Sequence, residues 1–157
     1  MLEKDKLYIS FHKPKSIVGL LITLRTLGKY SHCELVYNDY VYLSNPGGVR
    51  IKPFIYKDNM DIYELDSHIE VPIVLEEFKK LKGKGYDYWA IFLAQLLELG
   101  IEHKDKYFCS ELCLHLINKG LDDSLTYNLM ALKESAFSPV KLYKYLKDME
   151  LLKRKVE

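Results

Sequence analysis

The feature that most constrains this chain is a run of short alternating segments between His32 and Leu65, each cut off by residues that turn the backbone. Residues 32–37 and 40–45 flank Asn38-Asp39, a pair that tolerates the positive φ of a tight hairpin turn. Pro46-Gly47-Gly48 forms a second turn, after which 49–55 and 61–65 read as further strands. Four consecutive strands of this kind imply an antiparallel sheet.

The flanking segments supply the rest of an α+β fold. Residues 6–12 alternate as a short strand, and 15–27 have helical spacing after Pro14, with Gly28 placed to end the helix. Residues 71–81 carry Val74, Leu75, Phe78 and Leu81 at helical intervals and are broken by Gly83-Lys84-Gly85. Residues 88–99 read as a strongly apolar helix central to the core. Residues 107–118 place Leu112, Leu116 and Ile117 on one face, with Gly120 as C-cap, and a last amphipathic helix runs from 139 to about 152 behind Ser138. Helices segregated against an antiparallel sheet make one α+β domain over residues 1–157. A chain this long buries roughly 68–70% of its unfolded surface and needs neither disulfide nor metal to hold it.

Charge narrows the partners. The 23 Lys and Arg balance 22 Asp and Glu, so no net field draws the chain to nucleic acid. The start, Met1 to Lys6, is charged, and no run of eighteen apolar residues follows, which points to a cytoplasmic protein without stable membrane insertion. Residues 141–157 hold six basic and three acidic residues. Docking of that helix on the domain is the plain reading, and electrostatic contact with a membrane or cell-wall polymer is the sharper one. Three cysteines are an odd number, so at least one thiol is free.

That thiol chemistry centres on Cys109, at the start of a predicted helix. A helix N-terminus favours a thiolate, and its unpaired N–H groups suit an oxyanion hole. Cys113, one turn further in, reads as an inert core thiol. A nucleophilic cysteine needs a base and a group that orients the base. His32, at the start of a strand, is the best placed of five histidines; His12, His68, His103 and His115 are weaker candidates. A two-residue turn at Asn38-Asp39 sets Asn45 opposite His32, and a three-residue loop sets Ser44 there instead. Glu34, two residues along the same strand face, is a third orienter or a substrate contact. A zinc site from Cys109, Cys113, His103 or His115 lacks the second close cluster that completes a tetrahedral set.

Tyr30-Ser31-His32-Cys33-Glu34-Leu35-Val36, then Ser44-Asn45-Pro46-Gly47-Gly48-Val49-Arg50, Tyr86-Asp87-Tyr88 and Tyr107-Phe108-Cys109-Ser110-Glu111-Leu112 resemble the circularly permuted NlpC-type papain-like cysteine hydrolases of bacteria and bacteriophages. Their hallmark is histidine before cysteine in the chain. The resemblance spans about residues 7–120 and implies a papain-like fold, Cys109 as nucleophile and His32 as base. It puts the third polar position in the following strand, where this chain has Ser44 and Asn45 and no carboxylate. Glu34, Tyr30 and Ser110 are then expected to meet substrate, and Glu111 to cap the helix.

The activity so implied is hydrolysis of an amide bond, in a cell-wall peptide or another amide, through an acyl-enzyme and without a cofactor. A lipid-directed acyltransferase or thioesterase of the lecithin retinol acyltransferase type shares the permuted order. Residues 17–27 and Tyr30 would then line an acyl groove, against which stands ordinary core packing. A binding module that keeps the fold without the catalysis is the third reading.

Overall fold

A computed structural model describes residues 2–45, 47–84, 109–121 and 138–156. Among the described residues ten elements follow one another: β1 (Tyr8–His12), α1 (Ile17–Arg25), β2 (His32–Tyr37), β3 (Tyr40–Asn45), β4 (Gly48–Pro53), β5 (Met60–Leu65), α2 (Val71–Leu81), α3 (Cys109–Gly120), α4 (Pro139–Asp148) and β6 (Leu152–Val156). The helix expected over 88–99 and the Tyr86-Asp87-Tyr88, Tyr107 and Phe108 positions lie outside the described residues.

The strands form one antiparallel sheet in the order β4-β3-β2-β1-β5-β6, which makes the protein α+β. Asn38 and Asp39 both take left-handed backbone, φ 45° and 64°, so β2 and β3 meet through a two-residue turn that pairs Tyr37 with Tyr40 and Leu35 with Tyr42. At the next turn Gly47 has φ 110°, where a side chain would also strike the Arg50 guanidinium.

One face of the sheet carries the main core. Ile9 and Phe11 of β1 and Cys33 and Leu35 of β2 pack with Val74 and Phe78 of α2, Leu112 and Leu116 of α3, and Leu142 and Leu146 of α4. The opposite face buries Tyr8, Val36, Met60 and Ile62. It also buries three polar side chains, Ser10, His12 and Glu34. Polar groups taken out of water need partners within the protein.

Three details differ from the sequence expectation. Gly28 and Gly120 are not left-handed caps; Leu27 takes the positive φ, at 48°, and both glycines serve close approach. A Cβ on Gly28 would lie 2.3 Å from Val140 Cγ2, and one on Gly120 would lie 2.6 Å from Val74 Cγ2. The C-terminal helix stops at Asp148 instead of running to 152, because residues 152–156 form β6 on the edge of β5. Its cations are spent there: Lys153 pairs with Asp66, Arg154 with Glu64, and Lys155 with Asp61. Finally, among the described residues α1 contributes no side chain to the main core, although 17–27 is among the most apolar stretches of the chain; it buries Gly19 and Thr23.

Candidate active site

The site lies where β2 and α3 both begin. His32 is the first residue of β2 and Cys109 the first described residue of α3, and each side chain shifts the proton affinity of the other. Neighbouring Cys33, through its thiol and its backbone N–H, also favours the ionised form of the Cys109 sulfur. The Cys33 thiol, with the His32 imidazolium, outweighs burial and holds the Cys109 thiol well below the ordinary cysteine range. For His32, burial pulls the imidazole down, but the Cys109 thiolate and the Glu34 carboxylate prevail and raise its pKa to about 10. These opposed shifts describe a thiolate–imidazolium pair at neutral pH.

The three thiols are all free and buried but differ in character. Cys33 and Cys113 are sealed in the core, whereas Cys109 keeps 8% of its surface exposed. Burial drives the Cys33 thiol well above the ordinary range, so it stays protonated as a donor to its neighbour.

Behind His32 stands a carboxylate shared by two imidazoles. Glu34 Oε2 is 3.6 Å from His32 Nε2, and Oε1 is 2.8 Å from His12 Nε2. β1 and β2 pair His12 with His32 and Ser10 with Glu34, which puts all four side chains on one face. The two imidazole rings meet edge to face at 5.3 Å, and the Ser10 hydroxyl lies 3.3 Å from His12 Nε2. Burial opposes ionisation of Glu34, but His12 and His32 overcome it and hold the carboxyl well below its usual range. Solvent reaches this cluster from one side, since His32 is 27% exposed while Glu34 and His12 are each only 8% exposed.

The described strand pairing sets neither Asn45 nor Ser44 opposite His32. The β2–β3 ladder runs from Tyr37–Tyr40 to Leu35–Tyr42 and extends no further toward His32, whose strand partner is His12 on the other side. Asn45 pairs with Gly48 in β4, and its side-chain Oδ1 is buried without a partner. Ser44 is fully buried. The polar group beside the His32 imidazole is Glu34, and the residue that sequence reasoning undervalued is His12. A signal for both was present: β1 carries Ser10 and His12 at alternate positions, matching His32 and Glu34 on β2.

No family model matches the chain, and no curated protein matches it.

The other expected contacts divide. Tyr30 is fully buried, tilted over Phe11 and edge-packed on Tyr143, and donates its hydroxyl to Asp61 at 2.7 Å. Ser110 is 1% exposed, so neither residue offers surface to a ligand in this arrangement. Glu111 sits in the first turn of α3, where a carboxylate suits the helix dipole. His115 is turned to Glu77 of α2 at 3.1 Å, away from the two cysteines of its own helix, and His68 binds Asp66. Among the described residues no group of three or more His, Cys, Asp or Glu is arranged to hold a metal ion.

Proposed function

We propose that the protein is a cysteine hydrolase of the circularly permuted NlpC-like, papain-like type, cleaving an amide through an acyl-enzyme. The observation that carries this reading is the pairing of Cys109 with His32, each shifting the other's proton affinity, with the Glu34 carboxylate 3.6 Å from the imidazole. The Cys109 thiolate attacks the carbonyl carbon, and amide N–H groups at the start of α3 stabilise the oxyanion. The C–N bond breaks as His32 gives its proton to the leaving amine. Water then adds to the thioester, with His32 taking its proton, and the acid leaves as the thiolate reforms. Glu34 holds the imidazole in orientation and favours its charged form. Peptide amides, including cell-wall crosslinks, are the substrate class that the resemblance suggests.

Acyl transfer or hydrolysis on a lipid is the second reading, favoured by the exposed apolar side chains of α1 just ahead of His32. The same catalytic pair serves both, because a thiolate attacks an ester as it attacks an amide.

Labelling with iodoacetamide at neutral pH, followed by peptide mapping, tests the common mechanism. Cys109 should react selectively, and His32→Ala should abolish that selectivity. Sluggish labelling of all three thiols would instead favour a binding module that keeps the fold without the chemistry.

A further inference from the structure

Helix α1 is turned inside out for a helix on a protein surface. Its buried residues are Gly19 and Thr23, while Ile17, Leu20, Leu21, Leu24 and Leu27 stand 41–90% exposed. Their spacing makes a continuous apolar stripe along one side of the helix. Gly19 accounts for the orientation: a Cβ there would lie 3.1 Å from Ser31 Oγ and 3.2 Å from Pro14 Cβ, so the helix rests on its small residues.

Leu27 strengthens the point. It is the most exposed of the five, at 90%, and it holds a left-handed backbone, φ 48°, that disfavours any residue carrying a Cβ. Glycine or asparagine would satisfy the turn better, so a leucine here serves neither the turn nor the core. A second apolar element lies beside the start of the helix. The loop of residues 54–59 is fastened to it by Lys13 N–H to Asn59 O at 2.8 Å, Asn59 Nδ2 to Lys13 O at 2.7 Å, and the Lys15–Asp58 ion pair. That loop exposes Ile55 and Tyr56 by 69% and 63%.

Charge around the stripe selects its partner. Residues 13–31 contain Lys13, Lys15, Arg25 and Lys29 and no acidic residue. Lys13, Lys29 and Lys155 all gather on the single carboxylate of Asp61, at 3.4, 3.5 and 2.9 Å. Asp58, which pairs with Lys15, and Asp61 are the carboxylates set against Lys13, Lys15 and Lys29, so cations outnumber carboxylates among these described rim residues. A leucine-rich face bordered by lysines, with a tyrosine at its edge, fits the headgroup–acyl boundary of an anionic bilayer.

We infer that α1 and the Ile55–Tyr56 loop form a peripheral docking face for an anionic lipid bilayer. Adsorption of this kind needs no spanning helix, and it holds whether or not Cys109 is a nucleophile. Chain continuity from Leu27 to His32 brings the catalytic pair close to the docked face.

Co-sedimentation of the full chain with vesicles tests the inference. Vesicles of phosphatidylcholine mixed with phosphatidylglycerol should bind about tenfold more tightly than pure phosphatidylcholine, and added salt should erase the difference. The Leu20→Ser/Leu24→Ser variant should lose about tenfold in binding while keeping the wild-type thermal midpoint. Absence of binding at low salt overturns the proposal, as does equal binding to both vesicle types. A variant that melts well below the wild type would show that the stripe is covered by another part of the same chain. A wild-type dimer made monomeric by the variant, with no vesicle binding, would assign the face to a second copy. Either result replaces the bilayer as occupant.

Discussion

At the scale of single residues, the site depends on two proton equilibria pushed in opposite directions. The Cys109 pKa is lowered and the His32 pKa is raised to about 10, so the reactive pair persists from the lowered thiol value up to about pH 10. The rate of Cys109 alkylation should therefore be nearly flat across neutral pH, where an unperturbed thiol would still be rising toward its pKa near 8.5. Cys109→Ser removes the thiolate that supports the imidazolium. In NMR titration the His32 midpoint should then fall from about 10 by roughly one unit or more. Glu34→Gln keeps the shape but removes the charge facing both imidazoles, and should lower turnover by about 10²-fold or more with little change in KM. The sign of the stability effects differs between the groups. His32, raised on folding, stabilises the fold below the ordinary imidazole value of 6.5, and that contribution is lost as pH rises through about 10. Glu34, lowered on folding, stabilises above 4.5, and its contribution is lost as pH falls through its depressed value. Thermal midpoints across a pH series should sag at the acid end in the wild type, and less so in Glu34→Gln.

Elements were legible wherever the decisive interactions are local. Asn38-Asp39 announces its own turn, and the register near that turn follows from it. Helix α2 occupies the expected residues, Val71–Leu81, because its apolar spacing and the following glycine both lie within the segment. The carboxylate between the two imidazoles was harder to see, since Glu34 and His12 meet only through the pairing of β1 with β2, with all of α1 between them in sequence. Glycines misled for a related reason. Gly120 looks like a helix terminator, yet it lies where α3 crosses α2 against Val74 and Ile69. Gly120→Ala should cost about 1–3 kcal/mol in urea unfolding. Combining it with Val74→Ala should cost less than the two single losses added, because the second change vacates the space that the new methyl group needs.

For the whole molecule, the least legible part was the end of the sheet. Residues 152–156 follow a helix and are dense in lysine and arginine, which reads as continued helix until their acidic partners on β5 are known. Asp61, Asp66 and Glu64 supply those partners, so the strand is held by a ladder on one side and by ion pairs. A charged edge strand also guards the apolar interior of the sheet against pairing with another chain. Deleting residues 152–157 should lower the thermal midpoint by several degrees, at about 2–4 °C per kcal/mol for a chain of this size, and should promote aggregation visible by light scattering.

Arg154 also reaches Glu3 at 2.6 Å, and Lys6 bridges Glu3 and Glu64, so the two ends of the polypeptide are tied to one corner. Stretched from those ends in an optical trap, the molecule would take the load first on surface charges and on a ribbon anchored along a single margin. That ribbon would peel rung by rung at low force, more readily in concentrated salt, and the thiol pocket would come under tension only after it had gone.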